Sequence, residues 1–333
     1  MNVVTNAVGS HIGNTQVDKQ QLFYGLDIGG TKIEMGVFSS DLILIDSWRV
    51  ITPTDNYDIF IQAVVDIIHD AEYRHNKSSS QACAPKGLIG IGMPGVIDKN
   101  NLVKSANIPC CTGKNIIADL HNILHCKMTL ANDCRLFALS ESVGGAGESH
   151  KFVYGAIIGT GAAGGLCIDG QIYNGSNGFA GEYGHLPVSA YLIDKYNLPI
   201  LDCGCGLKGC YEPYVSGPGL GWIYNHFGAK TTDTRHFVAK LRENDTIARS
   251  AFNCYMDLLG ASFASIVLSY DPDIIVLGGG VSNINEVVNA LQASINNHLY
   301  SGVECPPIVK AKYGDSSGVR GAAILRKQFN DNQ

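Results

Sequence analysis

Apolar residues recur along the chain with two alternating spacings, one typical of strands and one typical of helices. Three strand-like segments, 22–27, 33–38 and 42–50, follow one another across short turns that contain Gly, Ser or Asp. This pattern predicts antiparallel strands joined by hairpins. The segment 57–73 then repeats its apolar residues at helical intervals, which predicts an amphipathic helix.

The same succession of strands and helices begins again at residue 152. Further predicted strands are 87–92, 128–130, 152–158, 165–168, 171–172 and 273–277, and further predicted helices are 116–124, 246–270, 284–299 and 317–329. The repetition indicates an internal duplication, so the predicted fold is α/β with two duplicated domains on either side of a cleft.

The domain boundaries follow from this repetition. We assign residues 22–131 to an N-terminal domain and 132–316 to a C-terminal domain, and we expect the final helix, 317–329, to pack back on the first domain. Residues 1–21 are polar and show no periodicity, which predicts a disordered extension.

Composition narrows the class of protein. A chain of 333 residues with 45% hydrophobic residues is long enough for two packed cores. The net charge of −6 offers no basic stripe, which argues against nucleic acid as a partner. Eleven cysteines, an odd number without a secretory leader, favour the reducing cytoplasm. We found no apolar run near the roughly 20 residues of a membrane span, so we expect no membrane partner.

Three glycine-containing loops each close an apolar run and are candidates for a divided ATP clamp. Glycine lets backbone N–H groups face a phosphate closely. Each loop alone is also compatible with an ordinary hairpin or strand-end turn. As a clamp, the first loop would hold the metal-phosphate end and the third would approach the adenosine. The candidate nucleotide-binding residues are Asp27, Gly29, Gly30, Thr31, Lys32, Gly159, Thr160, Gly161, Gly278, Gly279 and Gly280.

The pair Asn132-Asp133 lies between a predicted strand and a predicted helix. Asp133 is suited to capping that helix. If it faces the cleft instead, its carboxylate can accept a proton from a sugar hydroxyl group that attacks phosphorus. Both interpretations remain open at the level of the sequence.

The strongest single signal in the chain is a metal-binding pattern formed by His185, Cys203, Cys205 and Cys210. The pattern Cys-x-Cys-x₄-Cys after a histidine provides four ligands of the kind that tetrahedral Zn²⁺ prefers, and intervening glycines allow a tight loop. Because four protein ligands leave no open position, the predicted zinc is structural. The alternative is four unrelated cytosolic side chains; the other eight cysteines show no comparable spacing.

Together these motifs resemble the ROK family of repressors and sugar kinases, which has an actin-like ATPase fold related to ribonuclease H. The resemblance covers residues 22–326. It depends on LDIGGTK at 26–32, GTG at 159–161, GEYGH at 181–185 and CGCGLKGCYE at 203–212.

The resemblance implies a homodimeric enzyme that uses MgATP to phosphorylate N-acetyl-D-glucosamine on its 6-hydroxyl group, giving the 6-phosphate and ADP. It implies that Asp133 is the catalytic base and that Mg²⁺ bridges the phosphates. One ring nitrogen of His185 would bind the sugar and the other would bind zinc. The implied sugar-binding residues are Asn107, Asn132, Asp133, Glu182, His185 and Glu212.

Two departures from the family pattern and two other classes of protein bear on this interpretation. Ala163 replaces a usual glycine, so we expect its methyl group to crowd a turn, and Cys134-Arg135 replaces Ala-Asn.

A sugar-sensing repressor would need a helix-turn-helix domain before residue 22, where we find only 21 polar residues. A nucleotide-switched filament subunit or chaperone would leave the sugar and zinc residues unexplained. Glucose, fructose and N-acetylmannosamine stay open as acceptors.

Overall fold

Two five-stranded sheets form the framework of the protein. A computed structural model describes residues 21–76 and 85–331. The strands are β1 (Phe23–Ile28), β2 (Lys32–Phe38), β3 (Leu44–Ile51), β4 (Leu88–Met93), β5 (Val96–Ile97), β6 (Val103–Lys104), β7 (Met128–Asn132), β8 (Phe152–Ile158), β9 (Ala162–Ile168), β10 (Gln171–Tyr173), β11 (Ile274–Gly278) and β12 (Ile308–Lys310).

Ten α-helices accompany these strands in the described ranges. They are α1 (Tyr57–Asn76), α2 (Ile116–Leu124), α3 (Asp133–Ser142), α4 (Ala190–Lys195), α5 (Glu212–Val215), α6 (Gly217–His226), α7 (Thr234–Arg242), α8 (Thr246–Tyr270), α9 (Asn285–Asn296) and α10 (Ser317–Asp331).

The two sheets have the same topology. The first has the order β3-β2-β1-β4-β7, and the second has the order β10-β9-β8-β11-β12. In the first sheet β1, β2 and β3 are antiparallel neighbours, and β4 pairs in parallel with β1 and β7. In the second sheet β8, β9 and β10 are antiparallel neighbours, and β11 pairs in parallel with β8 and β12. The internal duplication that the hydrophobic pattern predicts is therefore present, and the α/β class is confirmed.

Helices α3 and α10 lie against different sheets and cross each other. A Cβ built on Gly25 would lie 1.8 Å from the carbonyl oxygen of Val319, so α10 contacts the backbone of β1 directly. A Cβ on Gly165 would lie 2.5 Å from the carbonyl oxygen of Cys134, which places α3 equally close to β9. Such close approach requires glycine on the strand. The two helices meet where Gly321 faces the carbonyl of Leu136.

Most strand and helix boundaries match the sequence-based expectation within three residues, but the segment after Gly161 differs. The predicted strand 165–168 begins earlier, at Ala162, and Ala163 pairs with Ile157 inside it. Its φ angle is not positive. The expectation that the Ala163 methyl group crowds a turn is therefore wrong, because extended backbone accepts any residue.

Several short elements were not predicted. They are the β5–β6 hairpin, the helices α4 to α7 and the edge strand β12. The strands β5 and β6 and the helices α4 and α5 are too short to show a period, whereas α6 and α7, of ten and nine residues, are long enough and the sequence-based expectation omitted them. The expected disorder of residues 1–21 lies outside the described residues except at Gln21, which donates a hydrogen bond to the carbonyl of Lys86. Cys83 also lies outside them.

Helix α8 is the central element of the larger hydrophobic core. Of the described helices, it alone is long and apolar enough to suit a membrane span, yet 67% of its most apolar window is buried inside the protein. Leu258, Leu259 and Phe263 are fully buried there among residues of the second half. Length and burial of this kind are typical of a core helix.

Candidate active site

The first glycine loop joins β1 to β2. The N–H of Gly29 donates to the carbonyl of Lys32 at 2.8 Å, and the hydroxyl of Thr52 donates to the carbonyl of Gly29 at 2.7 Å. The loop is therefore fixed from within and from the end of β3. A Cβ on Gly30 would lie 2.8 Å from the carbonyl oxygen of Asn107. The predicted sugar residue Asn107 thus lies directly against the predicted phosphate loop.

The second and third glycine loops lie against each other. Gly279 has φ of 82°, and a Cβ there would lie 2.4 Å from the carbonyl oxygen of Ile158 and 2.9 Å from the nitrogen of Gly159. Both the angle and the close approach require glycine at this position. Gly278 faces the ring of Phe137, whereas Gly280 meets no described atom within 4 Å. The tertiary structure therefore brings together two loops that are 120 residues apart in the chain.

Asn132, rather than Asp133, caps helix α3. The side-chain oxygen of Asn132 accepts hydrogen bonds from the N–H groups of Cys134 and Arg135, at 3.0 and 3.3 Å, and its amide group donates to the carbonyl of Gly95 at 3.0 Å. The carboxylate of Asp133, at the first helical position, accepts from the N–H of the adjacent Cys134, at 2.9 Å, which is not a capping contact. The capping interpretation of Asp133 is therefore wrong, since its neighbour fills that role.

Asp133 is close enough to Asp27 to affect the ionisation of Asp27. Burial, followed by the negative charge of Asp133, raises the pKa of Asp27 to about 7. Burial also raises the pKa of Asp133, against the opposing effect of its hydrogen bond from Cys134. Two desolvated carboxylates that interact electrostatically are costly unless a cation or a proton accompanies them. This arrangement suits a divalent cation between the phosphate loop and the start of α3.

The predicted zinc ligands converge. The Sγ atoms of Cys205 and Cys210 are 3.7 Å apart, and Sγ of Cys203 is 3.5 Å from Nδ1 of His185. All four ligand atoms lie within 4.8 Å of one another. Ligands of tetrahedral Zn²⁺ are about 3.8 Å apart for two sulfurs and about 3.6 Å for sulfur and nitrogen. The donor set fits Zn²⁺, and the two shortest separations match tetrahedral geometry.

Glu182 is held between two chain segments. It precedes the 3₁₀ turn 183–185, which carries His185 into the metal cluster. The hydroxyl of Tyr154 donates to the neighbouring carbonyl of Gly181 at 2.5 Å. Burial raises the pKa of Glu182 to about 7, and the nearby Arg135 cation opposes this rise. The Glu182 carboxylate is therefore largely desolvated, with the Arg135 cation nearby.

Two residues at this site were only weakly indicated by the sequence. Arg135 was visible only as a departure from a family pattern, yet it is nearly fully buried and lies 3.7 Å from Glu182. The N–H of Gly217 donates to the carbonyl of Gly159 at 2.8 Å, so helix α6 begins beside the second glycine loop. Ser216, which caps α6, followed by Gly217 and Pro218, is a helix-start signal that could have located it.

The fold and the site define a class: an actin-like phosphotransferase with glycine loops from both halves, paired carboxylates and a His/Cys metal cluster. The ROK family matches residues 23–329. The chain therefore belongs to the ROK family, as its motifs predicted.

Individual relatives share nearly the whole length of the chain. It is 46% identical to N-acetylgalactosamine kinase AgaK of Shewanella sp. strain ANA-3 over 304 residues, covering 91% of this chain and 96% of that protein. It is 38% identical to N-acetyl-D-glucosamine kinase of Pectobacterium carotovorum subsp. carotovorum strain PC1 over 312 residues, covering 93% and 100%.

Among solved structures, a ROK family glucokinase from Streptomyces griseus in complex with glucose and AMPPNP superposes with a TM-score of 0.72. The sequence identity is 27%, over 92% of this chain and 99% of that one. The actin-like fold and the prediction of an ATP-dependent sugar kinase are thereby confirmed.

Proposed function

We propose that this protein transfers the γ-phosphoryl group of ATP to the 6-hydroxyl group of N-acetyl-D-glucosamine, with Asp133 as the general base. The observation that carries the proposal is that Asn132 and Asp133, at the start of α3, have different contacts. Asn132 caps the helix, so the hydrogen bonds to the Asp133 carboxylate come from its immediate neighbour Cys134 and from its own backbone, and not from a capping role. The carboxylate is thus free to bind a substrate hydroxyl group.

The chemistry follows from that carboxylate. Asp133 accepts the proton of the 6-hydroxyl group while the sugar oxygen forms a bond to the γ-phosphorus, and the bond from that phosphorus to the β,γ-bridging oxygen breaks to release ADP. Burial raises the pKa of Asp133 and so strengthens it as a base near neutral pH. The loops at Gly30, Gly159 and Gly279 hold the phosphates and adenosine, and Lys32 offsets phosphate charge.

Two metals have different roles in this proposal. Mg²⁺ would neutralise phosphate charge when bound, and Asp27 is the carboxylate that would orient it. Zn²⁺ would be held by His185, Cys203, Cys205 and Cys210 and would have no open coordination position. The zinc site fixes the segments that carry Glu182 and Glu212, so its function is structural.

The sugar is held by groups from both halves. Asn107 and Asn132 approach from the first half, and Glu182, His185 and Glu212 approach from the metal-bound segments of the second. Carboxylate and amide groups bind neighbouring hydroxyl groups with paired hydrogen bonds. Zinc ligation through Nδ1 of His185 leaves Nε2 for the sugar.

N-acetyl-D-galactosamine is the second candidate acceptor, because a relative at 46% identity carries that name. The two sugars share the 6-hydroxyl and the 2-acetamido group and differ in the configuration of the 4-hydroxyl group. Both therefore fit the proposed mechanism, and the distinction lies in the contacts of one hydroxyl group.

A substrate panel tests the proposal. ADP release from MgATP is measured with N-acetylglucosamine, N-acetylgalactosamine, N-acetylmannosamine, glucose and fructose, and the Asp133→Asn protein serves as the blank. The highest kcat/KM with N-acetylglucosamine supports the first candidate, and preference for N-acetylgalactosamine supports the second. Sugar binding without ADP release from any acceptor contradicts a kinase and favours a sugar sensor.

A homodimer and a cytoplasmic location belong to the same proposal. The described cysteines are all free thiols, as a reducing compartment requires. Light scattering on the purified chain tests the dimer directly.

A further inference from the structure

Arg135 is a buried cation that connects two segments of the proposed sugar site. It lies in the first turn of α3, two residues after Asp133, and its side chain is 3% exposed. One terminal nitrogen donates a hydrogen bond to the carbonyl of Gly178, and the same nitrogen lies 3.7 Å from a carboxylate oxygen of Glu182. A single side chain thus links the catalytic helix to the segment 174–182.

Holding the segment 174–182 in one conformation costs conformational entropy. Gly175, Gly178 and Gly181 all have φ angles between 68° and 97°, in the left-handed region. Glycine enters this region freely, but it loses more conformational entropy than other residues when it is fixed there. A segment with three such glycines in seven residues therefore depends on tertiary contacts for its order.

The burial of Arg135 itself is unfavourable for stability alone. Its Nε atom is buried without a hydrogen-bond partner among the described residues. An unsatisfied buried donor costs about 1–3 kcal/mol. Local costs of this kind are common where a residue serves a site rather than the core.

We propose that Arg135 is a positioning residue that holds the segment 174–182 in its sugar-binding conformation by bridging the Gly178 carbonyl and the Glu182 carboxylate. Arg135 does not take part in proton or phosphoryl transfer. Its role in sugar affinity rests on the proposed function, whereas its effect on the order of the segment does not.

Hydrogen exchange of the protein without substrates tests the ordering directly. In Arg135→Met we expect the amides of residues 175–182 to exchange at least about tenfold faster, which corresponds to about 1.4 kcal/mol. Arg135→Lys should be intermediate, because an ammonium group does not reproduce the planar guanidinium fork.

Arg326→Gln is the matched control. Arg326 is similarly buried, at 4% exposure, and its Nε and Nη1 atoms have no hydrogen-bond partner among the described residues, but it lies on α10. We expect its substitution to leave exchange of residues 175–182 unchanged. Unchanged exchange in Arg135→Met, or an equal increase in both variants across the chain, overturns the proposal.

Steady-state kinetics test whether Arg135 affects sugar affinity. They use the acceptor that the wild type prefers. Arg135→Met should raise the sugar KM at least about tenfold, change the MgATP KM less than about twofold and lower kcat less than it raises the sugar KM. In a Glu182→Gln background the same substitution should have a smaller effect on the sugar KM, because one of the two bridged groups has lost its charge.

These outcomes separate the two proposals. A lower kcat with an unchanged sugar KM, or full additivity with Glu182→Gln, contradicts positioning through Glu182. If the wild type phosphorylates no sugar, the proposed function fails, and the exchange measurement still decides the role of Arg135.

Discussion

The carboxylate oxygen Oε2 of Glu212 accepts a hydrogen bond from the backbone N–H of Ala162, 3.1 Å away. Ala162 directly follows the second glycine loop, and Glu212 follows the proposed zinc ligand Cys210 by two residues. A Cβ at Gly161 would lie 2.7 Å from the same oxygen, so the contact depends on glycine there. The metal cluster, a proposed sugar ligand and a proposed phosphate loop are thus joined by one hydrogen bond.

This contact predicts different effects for two substitutions of Glu212. Glu212→Gln keeps an oxygen acceptor for Ala162 but loses its charge, so we expect the sugar KM to rise about 10- to 100-fold with little change in the MgATP KM. Glu212→Ala removes both interactions and should raise both KM values. Equal MgATP KM values in the two variants contradict the coupling. The exposed Glu243→Gln is the control.

Asp133→Asn should reduce kcat by about 10² to 10⁴ because the amide does not accept the proton from the acceptor hydroxyl group. The helix cap belongs to Asn132, so folding should be intact. Calorimetric titration with the sugar should show affinity within a few-fold of the wild type. Normal turnover in this variant rules out Asp133 as the base.

One zinc ion per chain is expected from the His/Cys cluster. Cys205→Ala removes a ligand and should lower both the zinc content and the thermal midpoint, by about 5 °C or more, since a structural zinc contributes several kcal/mol to folding. Atomic emission analysis and calorimetry measure these two quantities. Cys126→Ala, outside the cluster, is the control, and a fully metal-free wild type that unfolds at the same temperature contradicts the structural role.

The raised pKa of Asp27 predicts that the stability of the metal-free protein depends on pH. Its pKa is raised from an ordinary 3.8 to about 7 in the fold, so the folded state binds the proton more tightly and loses stability as pH rises from about 4 to 7. Asp27→Asn removes this loss. In urea unfolding, the free energy of unfolding of Asp27→Asn relative to wild type should therefore be about 2 kcal/mol greater at pH 8 than at pH 5.5.

The exposed Asp41→Asn variant is the control for that measurement and should show no such difference. A stability difference between wild type and Asp27→Asn that is independent of pH contradicts the assignment of the raised pKa to Asp27.

Short-range information predicted much of the fold. The helix at 116–124 and the long helix at 246–270 agree with the structure at both ends, since their apolar residues repeat over several turns and capping residues mark their starts. The β5–β6 hairpin and the helices α4 and α5 are too short to show a period of their own. The longer helices α6 and α7 start at local capping signals, Ser216 and Asp233, which the hydrophobic pattern alone does not use.

For the candidate site, the sequence by itself determined the residue types. Glycine loops, an Asn-Asp pair and a Cys-x-Cys-x₄-Cys cluster are local patterns whose chemistry can be inferred from the residues alone. Only the tertiary structure decided which residue caps α3, that Ala163 lies in an extended strand, and that Arg135 contacts Glu182. Those relationships depend on contacts between distant segments, and hydrophobic periodicity carries no information about which polar side chains meet when the two sheets fold.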